Sequence, residues 1–131
     1  MKMKAAVVVL LMMLMVSMAS ATIDGKIKSV TWGMTGELEP IVVKPLVLIE
    51  NTGDERAQFH IVIAVDKDVN RYAGACWVTD EIGVGKTGMT WPKVLRLPKK
   101  SDLPYVQVEL YSDACVKSKL LDVKKIGDSD R

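Results

Sequence analysis

The sequence predicts an all-β domain, an immunoglobulin-like antiparallel β-sandwich of about seven strands. Two runs carry the clearest evidence, because their apolar residues alternate with a period of two. In residues 57–66 the odd-numbered positions from Phe59 to Val65 are large and apolar. In residues 103–111 the apolar positions 106, 108 and 110 alternate with mostly polar ones. No segment after the first 21 residues shows a sustained helical period with caps, so helix should be scarce.

Five further β-rich runs complete the predicted set: 26–32, 41–50, 74–79, 89–97 and 117–126. Turn-forming residues separate the runs at intervals of roughly 10 to 15 residues. Parallel-sheet folds are excluded because the chain lacks the crossover helices that join parallel strands. The period of the apolar residues does not distinguish two stacked sheets from a small closed barrel, so a barrel is an alternative. Pro45 is expected at a sheet edge, at a bulge, or where its missing N–H faces outward.

The first 21 residues have the organisation of a secretory signal peptide. Two lysines form a basic start, residues 5–16 are an unbroken apolar run, and Ala19-Ser20-Ala21 provides the small residues that signal peptidase requires. An uncleaved membrane anchor, the alternative, needs about 18 to 20 apolar residues, and this run is shorter. We expect a mature protein that begins near Thr22, is secreted to the periplasm or the cell surface, and has no stable membrane insertion.

Charge and size exclude several classes of function. The chain of 131 residues has 18 basic and 16 acidic side chains. Two of the lysines lie in the leader (1–21), so the predicted sandwich domain (22–126) and polar tail (127–131) together have no net charge. A neutral domain without a block of like charge predicts neither nucleic-acid binding nor adsorption to an anionic membrane. Partner binding must then depend on shape and aromatic contact rather than on long-range steering.

Two stretches resemble a known group of secreted domains. Residues 46–54 (LVLIENTGD) and 59–63 (FHIVI) are similar to strand B, the N-x-G turn and strand C of the immunoglobulin-like, cell-adhesion-related (CARDB-type) domains of bacterial and archaeal surfaces. Residues 106–113 and 119–123 resemble the closing F–G hairpin of that group. The resemblance implies an architecture and an extracytoplasmic location, but no functional residues, because such domains share a fold rather than an activity. The chain departs from the group in lacking an acidic, asparagine-rich tail.

Cys76 and Cys115 are the only cysteines in the chain. In an oxidising compartment an even pair in a small domain predicts one disulfide, which would tie the last hairpin turn to the middle of the chain. This position differs from that of the bridge between strands B and F of antibody domains. Buried free thiols are an alternative. A zinc site is disfavoured because it needs three or four suitable ligands and His60 is the only histidine.

Three motifs resemble sites of known chemistry, but the residues around each motif do not support that function. Residues 83–88 (GVGKTG) contain the Gly-Lys-Thr of a phosphate-binding loop, but Asp80 replaces the first glycine of that motif. Residues 66–70 (DKDVN) alternate oxygen ligands as a calcium loop does, but Arg71 replaces the next glycine, which leaves only an irregular calcium site as an alternative. His60 has no nucleophile or carboxylate at a recognisable spacing. We therefore expect no enzyme activity, no cofactor and no metal site.

Aromatic residues near loops are the best candidates for a contact surface. Tyr105 and Tyr111 should share the outward face of one strand with the polar residues at positions 107 and 109. Trp91 follows the glycine-rich loop, and this 83–91 segment adds Lys86 as a further candidate contact residue. The opposing expectation is that the three tryptophans, Trp91 included, pack in the core or cap it.

The combined expectation is a non-catalytic binding or structural module that contacts a protein or a glycan at the cell envelope. One alternative is a small secreted inhibitor that inserts loops into a hydrolase, although no inhibitor loop motif is intact. Another is a subunit of a surface filament, in which strand edges pair between chains. The lysines of the last predicted strand argue against such pairing: Lys117, Lys119, Lys124 and Lys125.

Overall fold

The computed structural model describes residues 22–36, 38–115 and 118–128. The predicted signal peptide (1–21) lies outside the described residues. Nine strands occur within the described part: β1 (Gly25–Thr35), β2 (Ile41–Asn51), β3 (His60–Asp66), β4 (Arg71–Ala73), β5 (Trp77–Val78), β6 (Thr87–Thr90), β7 (Leu95–Leu97), β8 (Val106–Tyr111) and β9 (Leu120–Lys125). One short 3-10 helix spans Lys100–Tyr105. None of the described helical segments has the length and apolar character needed to cross a membrane.

The strands form two antiparallel sheets, which confirms the predicted all-β sandwich with nine strands rather than about seven. In the first sheet β2 is central: β1 pairs along one side of it, and β6 and β7 pair with successive parts of its other side. In the second sheet β3 pairs with β8 on one side and with β4 and β5 on the other, and β9 extends the sheet beyond β8. The open choice between a barrel and a sandwich is thus decided in favour of two stacked sheets.

The alternating apolar positions of both sheets meet between them as the core. The four predicted inward residues of the 57–66 run, from Phe59 to Val65, are fully buried. They pack against the odd-numbered residues of β2, among them Val47 and Ile49. Two adjoining clusters fill the interior, and the half-buried Trp32 packs against both. A period of two on facing strands is therefore sufficient to place this core.

Pro45 lies in the middle of β2, where it interrupts the pairing on one side only. β7 pairs with residues 41–43 of β2, and β6 pairs with residues 47–50, so positions 44–46 lie in the gap between them. The N–H of Asn51 points toward the β6 side, where it donates to the Lys86 carbonyl. Since successive N–H groups alternate sides, the nitrogen of Pro45 faces the same side and therefore falls in the gap.

Three predicted strands are shortened, divided or partly replaced by helix in the structure. The 74–79 run forms only the two-residue β5, and the 89–97 run is divided into β6 and β7 on either side of Pro92. The first residues of the 103–111 run lie in the 3-10 helix, because Pro104 has no N–H to donate to a strand ladder. The side chain of Asp102, in the same helix, binds the β3–β4 hairpin. There its carboxylate accepts hydrogen bonds from Lys67 Nζ (2.7 Å) and from the Tyr72 hydroxyl (2.8 Å).

Asn51 organises the turn between β2 and β3. Its buried side-chain amide donates to the carbonyls of Glu55 (2.9 Å) and Ile82 (2.8 Å), while its Oδ1 accepts from the Gly53 N–H (2.9 Å). The close approach of the Thr22 carbonyl excludes a side chain at position 53, since a Cβ there would lie 2.6 Å from that oxygen. The N-x-G pattern noted in the sequence therefore has a packing reason at both positions.

Replacing Asn51 with alanine should lower the free energy of unfolding by about 2 kcal/mol, because it leaves the Glu55 carbonyl and the Gly53 N–H without these partners. Urea denaturation of the variant and the wild type measures the loss. Asn51→Asp, which keeps the acceptor but not the donor, is the matched comparison and should cost at least as much, because it places a buried carboxylate against the carbonyl oxygens of Glu55 and Ile82. A change below about 0.5 kcal/mol for the alanine variant would show that water replaces these bonds.

Candidate functional site at the aromatic edge

A surface with two tryptophans lies where the edges of the two sheets meet. β5 is an edge of the second sheet and β6 an edge of the first, and residues 79–86 connect the two strands. A shallow cleft of about 170 Å³ opens between them. We call this surface the aromatic edge, and six residues line it: Trp77, Val78, Asp80, Met89, Thr90 and Trp91.

The aromatic edge exposes large apolar side chains that a soluble domain usually buries. Trp91 is 62% exposed, Met89 63% and Val78 45%. Met89 pairs with Leu48 of β2 and faces away from the core, while its neighbour Thr90 is buried. Trp91 projects outward because the next residue, Pro92, is buried and ends β6. Clustered exposure of this kind marks an interaction surface more often than isolated exposed residues do.

Two opposite charges flank the tryptophans. The ammonium group of Lys93 lies 4.9 Å from the centroid of the Trp77 ring, a cation–π distance that fixes the lysine over one face of that ring. Asp80 is exposed, and its carboxylate forms no hydrogen bond or ion pair with any other described residue. The surface thus presents apolar ring faces together with one anionic and one cationic group.

The tryptophans differ in their placement. Trp32 and Trp77 are half-buried and pack against the core, as expected for residues that cap it. Trp91 does not pack in the core, and the expectation that it would is wrong. Its exposure continues the alternation of β6, since positions 89 to 92 are exposed, buried, exposed and buried in turn.

The glycine-rich loop leading into β6 is a closed turn. The Lys86 N–H donates to the Gly83 carbonyl and the Gly85 N–H donates to the Asn51 carbonyl, each at 3.0 Å. These amides are used within the fold, so they do not form the open cradle that a phosphate-binding loop requires. Gly85 has a φ of +72°, a conformation that favours glycine. The Lys86 side chain is exposed at this loop and does not line the cleft of the aromatic edge.

Tyr105 and Tyr111 do not form the expected exposed face. Tyr105 ends the 3-10 helix and is 48% exposed, with Lys67 Nζ 5.6 Å from its ring centroid. Tyr111 is only 6% exposed, which contradicts the expectation for this residue. The reason is a polar cluster that covers the outer face of β8 and includes Glu109, to which the Tyr111 hydroxyl donates at 2.8 Å. The predicted outward positions 107 and 109 are buried for the same reason.

That cluster centres on Glu109, which is 2% exposed. Arg71 reaches from β4 across β3 and donates to both carboxylate oxygens, one of them at 2.6 Å, and Gln107 Nε2 donates at 2.6 Å. Burial alone would raise the pKa of Glu109, but the hydrogen bonds from Arg71, Tyr111 and Gln107 outweigh it and hold the pKa below its ordinary value. The hydrogen bond to Glu109 likewise raises the pKa of Arg71. Both groups are therefore charged at neutral pH.

The predicted disulfide between Cys76 and Cys115 is present, with a Cα–Cα distance of 5.8 Å. It joins the segment directly before β5 to the β8–β9 loop. His60 lies beside it, with Nδ1 3.9 Å from the Cys76 sulfur and Nε2 3.6 Å from an exposed carboxylate oxygen of Asp113. Both cysteines are oxidised, so neither is available as a metal ligand in this state.

The acidic hairpin that mimics a calcium loop serves another role. Its first aspartate, Asp66, forms an ion pair with Arg71 at 3.6 Å. Across the residues that the structure describes, no three histidine, cysteine or acidic side chains are grouped so as to hold a metal ion.

Comparison with models of known protein families, with curated proteins and with solved structures found no match to this chain.

Proposed function

We propose that this protein is a non-catalytic binding module that acts outside the cytoplasm and uses the aromatic edge as its contact surface. The observation that carries the proposal is the clustering of exposed Trp91, Met89 and Val78 around one cleft. Exposure of this much apolar surface in one place is costly for solubility and is typical of surfaces that bind a partner. The signal-peptide pattern supports the location, and the disulfide is compatible with it.

The architecture supports a contact role for this surface. Both strands beneath it are paired into the sheets of the sandwich, so the backbone that carries the apolar side chains is fixed before a partner arrives. Tryptophan is over-represented among residues whose truncation weakens binding, because its large ring buries much area with few rotatable bonds. Trp91 is therefore the residue expected to contribute most.

Replacing Trp91 with alanine should weaken binding to envelope material at least tenfold without unfolding the domain, since the exposed ring contributes little to the core. The measurement is a pull-down from envelope and secretion fractions with the immobilised protein lacking residues 1–21. Circular dichroism and thermal melting report whether the fold is intact.

Tyr105→Ala is the matched control, because it removes an exposed aromatic ring that lies outside the aromatic edge. It should retain binding. Equal binding by wild type, Trp91→Ala and Tyr105→Ala would contradict the assignment of the contact surface. Recovery of a hydrolase that is inhibited by the bound protein would instead favour the inhibitor alternative.

A further inference from the structure

The chemistry of the aromatic edge indicates which class of partner it binds, and this inference rests on the proposed function. We propose that the cleft binds a neutral saccharide, one sugar ring of an envelope polysaccharide. A pyranose has an apolar face of C–H groups and a rim of hydroxyls. The aromatic edge offers the exposed indole of Trp91 and the carboxylate of Asp80, which has no hydrogen-bond or ion-pair partner among the described residues, and the ammonium group of Lys93 lies next to it over Trp77.

Each part of such a ligand has a counterpart on the surface. The exposed ring of Trp91 stacks on the apolar face of the sugar. The carboxylate of Asp80 accepts hydrogen bonds from hydroxyl groups, and charge-assisted bonds of this kind are among the stronger ones. The ammonium group of Lys93 lies over the Trp77 ring, and it can also donate a hydrogen bond to a substituent of the sugar ring. The cleft, about 170 Å³, is on the scale of one sugar ring rather than of a drug-sized ligand.

Charge argues for a neutral sugar. Asp80 lines the cleft and Lys93 lies over the ring of Trp77 beside it, so one acidic and one basic group balance, and the surface favours neither an anionic polysaccharide nor a cationic amine. The neutral composition of residues 22–131 extends this balance to the whole predicted mature chain. Binding should accordingly depend little on salt.

An extended peptide added to β6 fits the structure less well. β6 has four residues, Thr87–Thr90, and Pro92 lacks the N–H that would continue the ladder beyond them. The β5 side chains would also lie beside such a strand rather than beneath it, because they belong to the edge of the other sheet. Capture of a protein partner is therefore the competing result of the test below.

The test is affinity electrophoresis of the disulfide-bonded protein lacking residues 1–21, in native gels that contain one soluble neutral polysaccharide each: a β-glucan, a mannan, or a glycol chitin. Polygalacturonate provides an anionic comparison. We expect retardation by at least one neutral polysaccharide, with less than a twofold change in affinity when sodium chloride is raised about tenfold. Trp91→Ala and Asp80→Ala should each weaken that affinity at least tenfold.

Two control variants have exposed side chains outside the aromatic edge, Tyr105→Ala for the ring and Asp113→Ala for the carboxylate, and both should be retarded like the wild type. Three results would overturn the inference: no retardation by any neutral polysaccharide, retardation unchanged in Trp91→Ala, or binding confined to polygalacturonate. If saccharides fail but capture of an envelope protein still depends on Trp91, the saccharide inference is wrong and the proposed contact surface stands. If Trp91→Ala changes neither, both are wrong.

Discussion

Replacing Arg71 with methionine is expected to lower the free energy of unfolding by about 3 to 5 kcal/mol. The variant leaves the carboxylate of Glu109 buried without the guanidinium that binds both of its oxygens. Tyr111 and Gln107 still donate hydrogen bonds to it, but neither side chain supplies a compensating charge. Urea denaturation near pH 7, with circular dichroism as the probe, measures the loss.

The exposed ion pair between Lys26 and Glu50, with a separation of 3.3 Å, provides the control. Lys26→Met should change stability by less than about 1 kcal/mol, because both partners are partly hydrated. The double variant Arg71→Met with Glu109→Leu should recover only part of the loss, since it removes the stranded charge but leaves the buried donors of Tyr111 and Gln107 without their acceptor. An Arg71→Met variant no less stable than Lys26→Met would show that the buried cluster contributes nothing.

The same cluster predicts how stability varies with pH. The pKa of Glu109 is lower in the folded state than its ordinary value of 4.5, so its contribution is present above about pH 4.5 and is lost as the pH falls through the folded pKa. Burial, and then the hydrogen bond to Glu109, raises the pKa of Tyr111 from 10.0 to about 12. Its contribution is therefore present below pH 10 and is lost as the pH rises to about 12. Thermal melts across both windows test the two signs, and Glu109→Gln should flatten the acid limb.

Loss of the disulfide should cost about 4 kcal/mol, because the bond closes a loop with a sequence separation of 39 and so restricts the unfolded chain. The direct comparison is between wild type and the double variant Cys76→Ala with Cys115→Ala, each denatured with and without dithiothreitol. Reductant should bring the wild type to the stability of the variant and leave the variant unchanged.

Mass spectrometry supplies an independent check on this bond. The intact mass of the oxidised protein should increase by about 2 Da on reduction. If the double variant were as stable as the oxidised wild type, the loop-entropy account of this disulfide would be wrong.

Much of the fold follows from periodicity in the sequence. The alternation in residues 57–66 places four core residues correctly, because the side chains of a strand must point to opposite faces. The N-x-G turn and the cysteine pair are also local or compositional signals, and both occur where the sequence predicts them. The turn depends on residues that are close together in the chain, and the disulfide follows from the number of cysteines. Both can therefore be predicted from a single sequence.

The outer face of the second sheet could not be predicted in the same way. Alternation assigns Glu109 and Tyr111 to the side facing away from the core, and that side is solvent-exposed only if nothing covers it. Arg71 covers it from β4, a strand 38 residues earlier in the chain than Glu109. The pairing of β3 with both strands makes this contact, and no short-range pattern encodes that pairing.

The aromatic edge was predicted in part. Trp91 was a candidate from its position after the glycine-rich loop, but Trp77, Val78 and Met89 were not identified as its neighbours. Their association depends on β5 and β6 lying at adjacent edges of different sheets. Pro92, directly after Trp91, is the local sequence signal that β6 ends there, because proline has no N–H to donate to the ladder.

The buried charge of Glu109 has a consequence for the alignment of β8 against β3. A slip of one residue in their pairing would exchange the two faces of β8 and turn Glu109 into the apolar interior between the sheets. There it would meet Val47 and Ile61 instead of Arg71, at a cost far greater than that of a misplaced polar surface residue. One carboxylate on the covered face thus disfavours every odd-numbered slip in this register more strongly than an alternation without a charge would.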